Sequence, residues 1–325
     1  MYMFFGLIIL AYVFYRLYQY LYPTPDINPR GKYVLISGCD TGFGNGLTIE
    51  LDKQGFNVLA GVYDANNKDS LANILSSRAT VFKLDIICQE DIDAAYEMIS
   101  NKTKVLHALV NNAGIGTAGH IDWISTELMR KVMDVNFFGH VTMTKKFLPL
   151  LIAKRDSRVV NICSVAGYLT KPGMSAYAAS KYALESFSDC LRREMAVWGL
   201  RVSIIEPGFM RTGIVEGHDK SLRTLWNGLV DDVKDRWGEE FLDKQIQGIL
   251  NDVFMKNAEN PAKVVQALKH AVMNTAPRIR YRPGWQSSCI MFPLSRGPAW
   301  LVDYLMIRPS LKGALPAGLR KQLTD

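Results

Sequence analysis

In residues 175–186, SAYAASKYALES, a tyrosine and a lysine stand four positions apart. On a helix, positions i and i+4 lie one above the other on one face, so Tyr177 and Lys181 project into the same space. A free tyrosine titrates at about 10, and a neighbouring ammonium favours its phenolate, bringing the hydroxyl toward the range where it trades a proton near neutral pH. The chemistry on offer is general acid–base transfer. Chance supplies about one such spacing in a chain of this length and composition, so the pair takes its meaning from its surroundings.

Those surroundings alternate. From Lys32, short β-branched runs give way in turn to longer amphipathic ones: YVLIS, residues 43–54, NVLAGV, TVFKLDI, residues 89–101, HALVNNAG, residues 128–154, RVVNICS, residues 175–198 and RVSIIEP. Strand and helix at this spacing imply right-handed βαβ units and a parallel sheet covered on both faces. The expected fold is α/β, a doubly wound Rossmann sheet, in a domain spanning 32–282. Residues 213–256 interrupt the alternation with a polar stretch holding Trp226 and Trp237, read as a helical lid over a substrate site.

The loop after the first expected strand is SGCDTGFGNG, with Gly38, Gly42 and Gly44 around Asp40 and Phe43. Glycines permit a tight turn and close approach of a pyrophosphate, whose charge the amides of the following helix stabilise. An NADP site needs Arg or Lys near the 2′-phosphate, and neither 39–41 nor Val62 and Tyr63 supplies one. Asp40 and Asp64 would repel a phosphate dianion and suit a free ribose hydroxyl, so NAD is expected over NADP. Val62 stands where the ribose-binding carboxylate is first sought, which leaves that task to Asp64, while Lys68 lends a positive charge if the loop folds back.

The ordered set SGCDTGFG, LDI at 84–86, NNAG at 111–114, MDVNFFG, ICSVAG, YAASK and EPGFMRT resembles the short-chain dehydrogenase/reductase family over residues 32–207 at least. The resemblance implies that Tyr177 transfers the proton while Lys181 lowers its pKa and holds the nicotinamide ribose. It assigns Ser164 to the substrate oxygen and Asn136 to a water that relays protons to Lys181. On the cofactor side it implies Gly38, Gly42 and Gly44 at the pyrophosphate, Asp85 at the adenine, and Asn112, Ala113 and Gly114 along the adenosine. Pro207, Gly208 and Thr212 follow, with Thr212 at the carboxamide. GCDTGFGN, SFSDCLRREM, RVSIIEPGFMRT, TLWNGL and RYRPGW are more closely similar to the retinol and hydroxysteroid dehydrogenase branch, including its 17-beta type 6-like members. That implies an NAD-dependent oxidoreductase acting on a lipophilic alcohol or carbonyl, as a homodimer or tetramer associated with the endoplasmic reticulum membrane. A 3-hydroxybutyrate-type hydroxy acid dehydrogenase of a mitochondrial membrane and a non-catalytic dinucleotide-binding membrane scaffold are the alternatives.

The ends of the chain bear on location. MYMFFGLIILAYVFY carries no charge, and with Arg16 snorkelling, residues 1–22 reach about 30 Å as a helix, one hydrocarbon thickness. Tyrosines at 15, 18, 20 and 22 suit an interfacial belt, and no basic n-region or small-residue cleavage site suggests a removed signal. An uncleaved anchor is expected, with 23–31 as an extended spacer and the domain on the cytosolic side. Of the net charge of +7, most sits after residue 276, where eight Lys or Arg face Asp303 and Asp325 among Trp285, Phe292, Trp300 and Tyr304. Basic residues interleaved with aromatics suit a membrane surface better than nucleic acid, so 283–325 is read as a membrane-associating or core-capping extension. Five scattered cysteines and five dispersed histidines point to neither a disulfide framework nor a metal site.

Overall fold

A computed structural model describes residues 24–213, 217–311 and 314–324, together with Gly6, Leu7, Leu10, Ala11, Phe14 and Tyr22. Seven parallel strands form one sheet: β1 (Tyr33–Ser37), β2 (Asn57–Val62), β3 (Thr80–Lys83), β4 (Ala108–Asn111), β5 (Arg158–Ile162), β6 (Arg201–Ile205) and β7 (Arg280–Tyr281). Their order is β3-β2-β1-β4-β5-β6-β7, so the chain reverses direction across the sheet between β1 and β4. In a doubly wound sheet, ligands bind beyond the strand carboxyl ends at that reversal.

Helices cover both faces: α1 (Gly42–Gln54), α2 (Asn67–Ala72), α3 (Gln89–Lys102), α4 (Thr126–Met133), α5 (His140–Ile152), α6 (Ser175–Glu194) and, after the lid segment, α11 (Ala262–Met273). The segment expected to be a lid holds α7 (His218–Asn227), α8 (Asp231–Trp237), α9 (Glu239–Asn251) and α10 (Val253–Lys256). The carboxyl-terminal region holds α12 (Phe292–Leu294), α13 (Ala299–Leu311) and α14 (Ala317–Thr324).

Neighbouring apolar residues on β1 and β2 face opposite layers, as burial on two faces requires. Val34 and Ile36 pack with Leu47 and Leu51 of α1 and Val264 and Leu268 of α11. Leu35, which points the other way, packs with Ile92 and Ile99 of α3 and Met143 and Phe147 of α5. Each such side chain contributes about 1.5–3 kcal/mol relative to exposure. Inside the second layer, Asn111 Nδ2 donates to Asn161 Oδ1 at 2.8 Å and to Thr144 Oγ1 at 3.0 Å, and Asn161 Nδ2 donates to Ser188 Oγ at 2.8 Å. This bonded chain ties β4, β5, α5 and α6 in one relative position.

Three features bear on the sequence reading. The expected helix over 128–154 is α4 and α5 joined by a π-helical turn, Asp134–Gly139, a feature often found where a side chain must be re-aimed for function. The lid segment is helical and has its own apolar cluster, Leu222, Trp226, Phe241 and Leu242, which packs on Trp123 of the loop between β4 and α4. The spacer is not free: Ile27 N–H donates to the Met273 carbonyl at 2.8 Å and Thr275 N–H to that of Pro25 at 3.0 Å, fixing it beside the end of α11.

The expected anchor, 1–22, lies almost wholly outside the described residues. Among the described residues no helix is long and apolar enough to cross a membrane. The carboxyl-terminal extension divides: Gln286, Ser287 and Met291 are buried on the domain, whereas on α13 Trp300 is 70% and Tyr304 52% exposed.

Candidate active site

The glycine turn lies at the carboxyl end of β1. Gly38 and Gly42 have φ of +69° and +65°, left-handed values that favour glycine. Gly44 is required for a different reason: a Cβ there would stand 2.3 Å from the Gly38 carbonyl oxygen and 2.4 Å from Asn112 Nδ2. Thr41, at the cap of α1, makes no side-chain bond to the first turn, which leaves its amides directed at the turn. Such a cradle fits a dinucleotide pyrophosphate. Phe43 packs against the core cluster behind it.

Asp40 joins this turn to the end of β2. Its Oδ2 accepts from Tyr63 N–H at 2.8 Å, and its Oδ1 accepts from Asp64 N–H at 2.9 Å and Asn67 Nδ2 at 3.1 Å. Asp64 accepts from Asn66 N–H and remains exposed beside it. Both carboxylates thus stand together, while Lys68 lies exposed on α2.

The remaining predicted cofactor residues serve first as braces. Asn112 Nδ2 donates to the carbonyls of Ser37 and Gly38, each at 2.9 Å, and Ala113 offers its carbonyl to His140 Nε2 at 2.7 Å. Asp85 accepts from Ile87 N–H, Pro207 offers its carbonyl to Val165 N–H, and Thr212 bonds the Met210 carbonyl. At Gly208 a Cβ would crowd Gln286 Cβ at 3.2 Å, so the turn after β6 abuts the carboxyl-terminal extension. Gly114 faces Lys181: a Cβ on it would lie 3.3 Å from Asn136 Oδ1 and 3.8 Å from Lys181 Nζ.

The four predicted catalytic residues converge near Gly114. Lys181 is buried on α6 and donates from Nζ to the Ile162 carbonyl at 2.8 Å, with Nζ 5.8 Å from the centre of the Tyr177 ring. Ser164 follows β5 by two residues, and its hydroxyl is directed at Tyr177. Asn136, on the π-helical turn, accepts from Ile115 N–H and donates to the Ile115 carbonyl, both at 2.9 Å, and to Ser180 Oγ at 3.1 Å. Both of its amide hydrogens are thereby used, making it a brace between Ile115 and α6 rather than a free donor to water.

Burial dominates the electrostatics. It raises Tyr177 above the ordinary tyrosine value, with the Ser164 hydroxyl drawing it back. This is opposite to the lowering expected from the Tyr–Lys spacing, because the cost of desolvating a phenolate outweighs the neighbouring hydrogen bond. Lys181 is lowered by burial, with Cys163 and Glu185 opposing. His140, fully buried behind Ala113 and near Lys181, is pushed down to about 3 and stays neutral.

Sequence reasoning passed over Ser37, Ser180 and His140. Ser37 Oγ accepts from Asn112 N–H at 3.1 Å and Ala113 N–H at 3.2 Å. Ser180 lies three residues after Tyr177, a helical spacing that placed it on the same side. His140 gave no signal, since its partner is a backbone carbonyl.

A model of the short chain dehydrogenase family matches residues 32–222, more than half of the 325. This chain belongs to that family. Retinol dehydrogenase 16 of Rattus norvegicus is 37% identical over 288 residues, covering 87% of this short-chain dehydrogenase and 90% of the relative. The 17-beta-hydroxysteroid dehydrogenase type 6 of Bos taurus is 35% identical over 284 residues, covering 86% and 89%. The branch read from the motifs is therefore borne out. Among solved structures, a short chain dehydrogenase/reductase from Burkholderia phymatum in complex with NAD superposes with a TM-score of 0.68 at 21% identity, covering 84% of this chain and 98% of that one. Likeness at that identity establishes the fold and leaves the nucleotide to the site itself.

Proposed function

We propose that this short-chain dehydrogenase interconverts a lipophilic alcohol and its carbonyl, a retinol or a 3- or 17-hydroxysteroid, using NAD(H). The observation that carries the reading is the convergence of Tyr177, Ser164 and Lys181 beside a glycine cradle at the reversal of the sheet. When bound, the dinucleotide supplies the two-electron acceptor or donor. Gly38, Gly42 and Gly44 would hold its pyrophosphate, and Asp40 with Asp64 its ribose. In oxidation, the Tyr177 oxygen takes the proton of the substrate hydroxyl, and in reduction it returns one to the carbonyl oxygen. Ser164 would donate to that oxygen as its charge changes. The Lys181 ammonium stabilises the phenolate that Tyr177 passes through, offsetting the cost that burial imposes.

The two relatives' names support the substrate class. The apolar amino-terminal run and the exposed aromatic face of α13 support a position at a membrane, where such substrates partition. Exposed Phe138 on the π-helical turn and Tyr182 on α6 suit contact with a second copy.

Membranes containing the full chain, supplied with all-trans-retinol or a 3α-hydroxysteroid, are expected to form NADH, with NAD serving better than NADP. Tyr177→Phe is expected to lower the rate about 100-fold or more while NADH binding persists. Undiminished turnover in that variant would remove Tyr177 from the mechanism. Bound NAD with no oxidation of either substrate would favour a small hydroxy acid.

A further inference from the structure

Tyr177 and Lys181 begin a stripe on α6 that continues, one turn at a time, through Glu185 and Asp189. The far half of this stripe is clamped. Arg280 of β7 places Nη2 3.3 Å from Glu185 Oε2 and 3.0 Å from Asp189 Oδ2, and its Nε 2.9 Å from Glu206 Oε1. Arg282 holds the other oxygen of Glu206 at 2.7 Å, and Arg192 and Arg193 flank Asp189 at 3.1 and 3.8 Å. The Glu185 side chain is only 12% exposed, and Oε1, the oxygen that Arg280 does not hold, is buried without a hydrogen-bond partner. Beside it lies Cys163, the residue before Ser164, close enough to interact with both Glu185 and Lys181.

The groups facing Lys181 differ in what they offer a buried ammonium. Asn136 is uncharged, and burial keeps Tyr177 and His140 neutral. Burial also pushes the Cys163 thiol well above its ordinary value, so it carries no charge near neutrality. Glu185 is the anion that remains among them. We infer that Glu185 is a positioning residue for the reaction: anchored by Arg280, its carboxylate keeps Lys181 protonated and seated on the Ile162 carbonyl, one turn from Tyr177. The catalytic part of this inference rests on the dehydrogenase reading; the charge coupling between Glu185 and Lys181 does not.

Burial raises Glu185 itself to about 7, with Glu206 adding to the rise and Arg280 opposing it. The carboxylate therefore takes up a proton in mildly acidic solution, and Lys181 loses its support there.

The test uses the full-length protein with lysines labelled with 13C at Cε, the Lys181 signal being assigned by its loss in Lys181→Met. In Glu185→Gln that signal is expected to titrate about one pH unit lower, a change of about 1.4 kcal/mol. The alkaline fall of kcat/KM should move down by the same amount, and Glu185→Asp should restore both in part. An unmoved Lys181 titration in folded Glu185→Gln overturns the inference, even if turnover falls. The wild-type signal should also show a smaller step near pH 7 as Glu185 gains its proton; its absence overturns the inference whether or not the variant folds. A shifted Lys181 titration in a protein that oxidises no alcohol would uphold the coupling and sink the dehydrogenase reading instead.

Discussion

Both oxygens of Asp40 are held by the amides of Tyr63 and Asp64, so the carboxylate is fixed between the glycine turn and the end of β2, where the proposed function puts the ribose. At about 4 Å and an effective dielectric near 20, each negative charge on a 2′-phosphate would meet about 4 kcal/mol of repulsion from it. Calorimetric titration should therefore give a lower Kd for NAD than for NADP, and Asp40→Asn, which removes charge while keeping shape, should narrow the gap about tenfold or more. Equal affinities in the wild type would mean that Asp40 does not stand at the ribose. The neighbouring Gly44 is limited by space rather than charge. Gly44→Ala puts a methyl against the Gly38 carbonyl oxygen, a backbone atom, so the turn must open. Loss of dinucleotide binding with retained far-UV circular dichroism is the expected result, and unchanged affinity would contradict it.

The elements differ in how independently they are built. Helices α7–α10, the expected lid, bury Trp226 to 1% exposure in a cluster that meets the rest of the protein at Trp123 and His120. Trp226→Ala, at about 3–5 kcal/mol for a buried aromatic, should loosen this unit and leave the sheet intact. Amide exchange should quicken in 218–256 and hold steady in β1, β4 and β5; uniform quickening would show that the lid is part of the main cooperative unit. The same division governs what the sequence disclosed. Strands such as YVLIS and RVVNI carry adjacent apolar residues facing opposite layers because both faces are covered, and helices α1, α3 and α6 repeat at the helical period, so the doubly wound order was legible. The four catalytic candidates were legible because Tyr177 and Lys181 stand four apart on α6 and Asn136 and Ser164 sit in ordered motifs before them. The break of residues 128–154 at a π-helical turn was not, since one added residue per turn leaves the apolar pattern nearly unchanged. Nor was the raised value of Tyr177: spacing reveals a neighbouring charge, whereas the depth of burial that opposes it arises only when α6 closes on β5.

At the scale of the whole molecule, burial of uncharged histidines sets the response to acid. His107 is stacked on Phe56, bonded to the Val272 carbonyl, and pushed down to about 4 by burial; His140 is pushed down to about 3. His120 and His270 are lowered by burial as well. In the unfolded chain each protonates at about 6.5. Between that value and the folded one, the unfolded state binds the extra proton, so stability present above pH 6.5 is lost as pH falls, by about 1.4 kcal/mol per pH unit for each such group. Glu185 and Glu206 act in the opposite sense. Their folded values are raised, so the native state holds the proton longer and gains stability on acidification through the same range. His107 and His140 lose stability throughout the range from pH 6.5 to about 4.5, and carboxyls that ion pairs hold below their ordinary values, such as Glu50 and Asp156, act in the same sense at its acid end, so the net slope is toward unfolding. Urea midpoints should therefore fall over this range. His140→Gln keeps a donor for the Ala113 carbonyl but has no proton to gain, so it should remove about 1.4 kcal/mol per pH unit from that fall. A variant whose midpoint falls as steeply as the wild type would mean that His140 is already charged in the folded protein, or reaches water. The neutral donor beside Lys181 would then have to be abandoned.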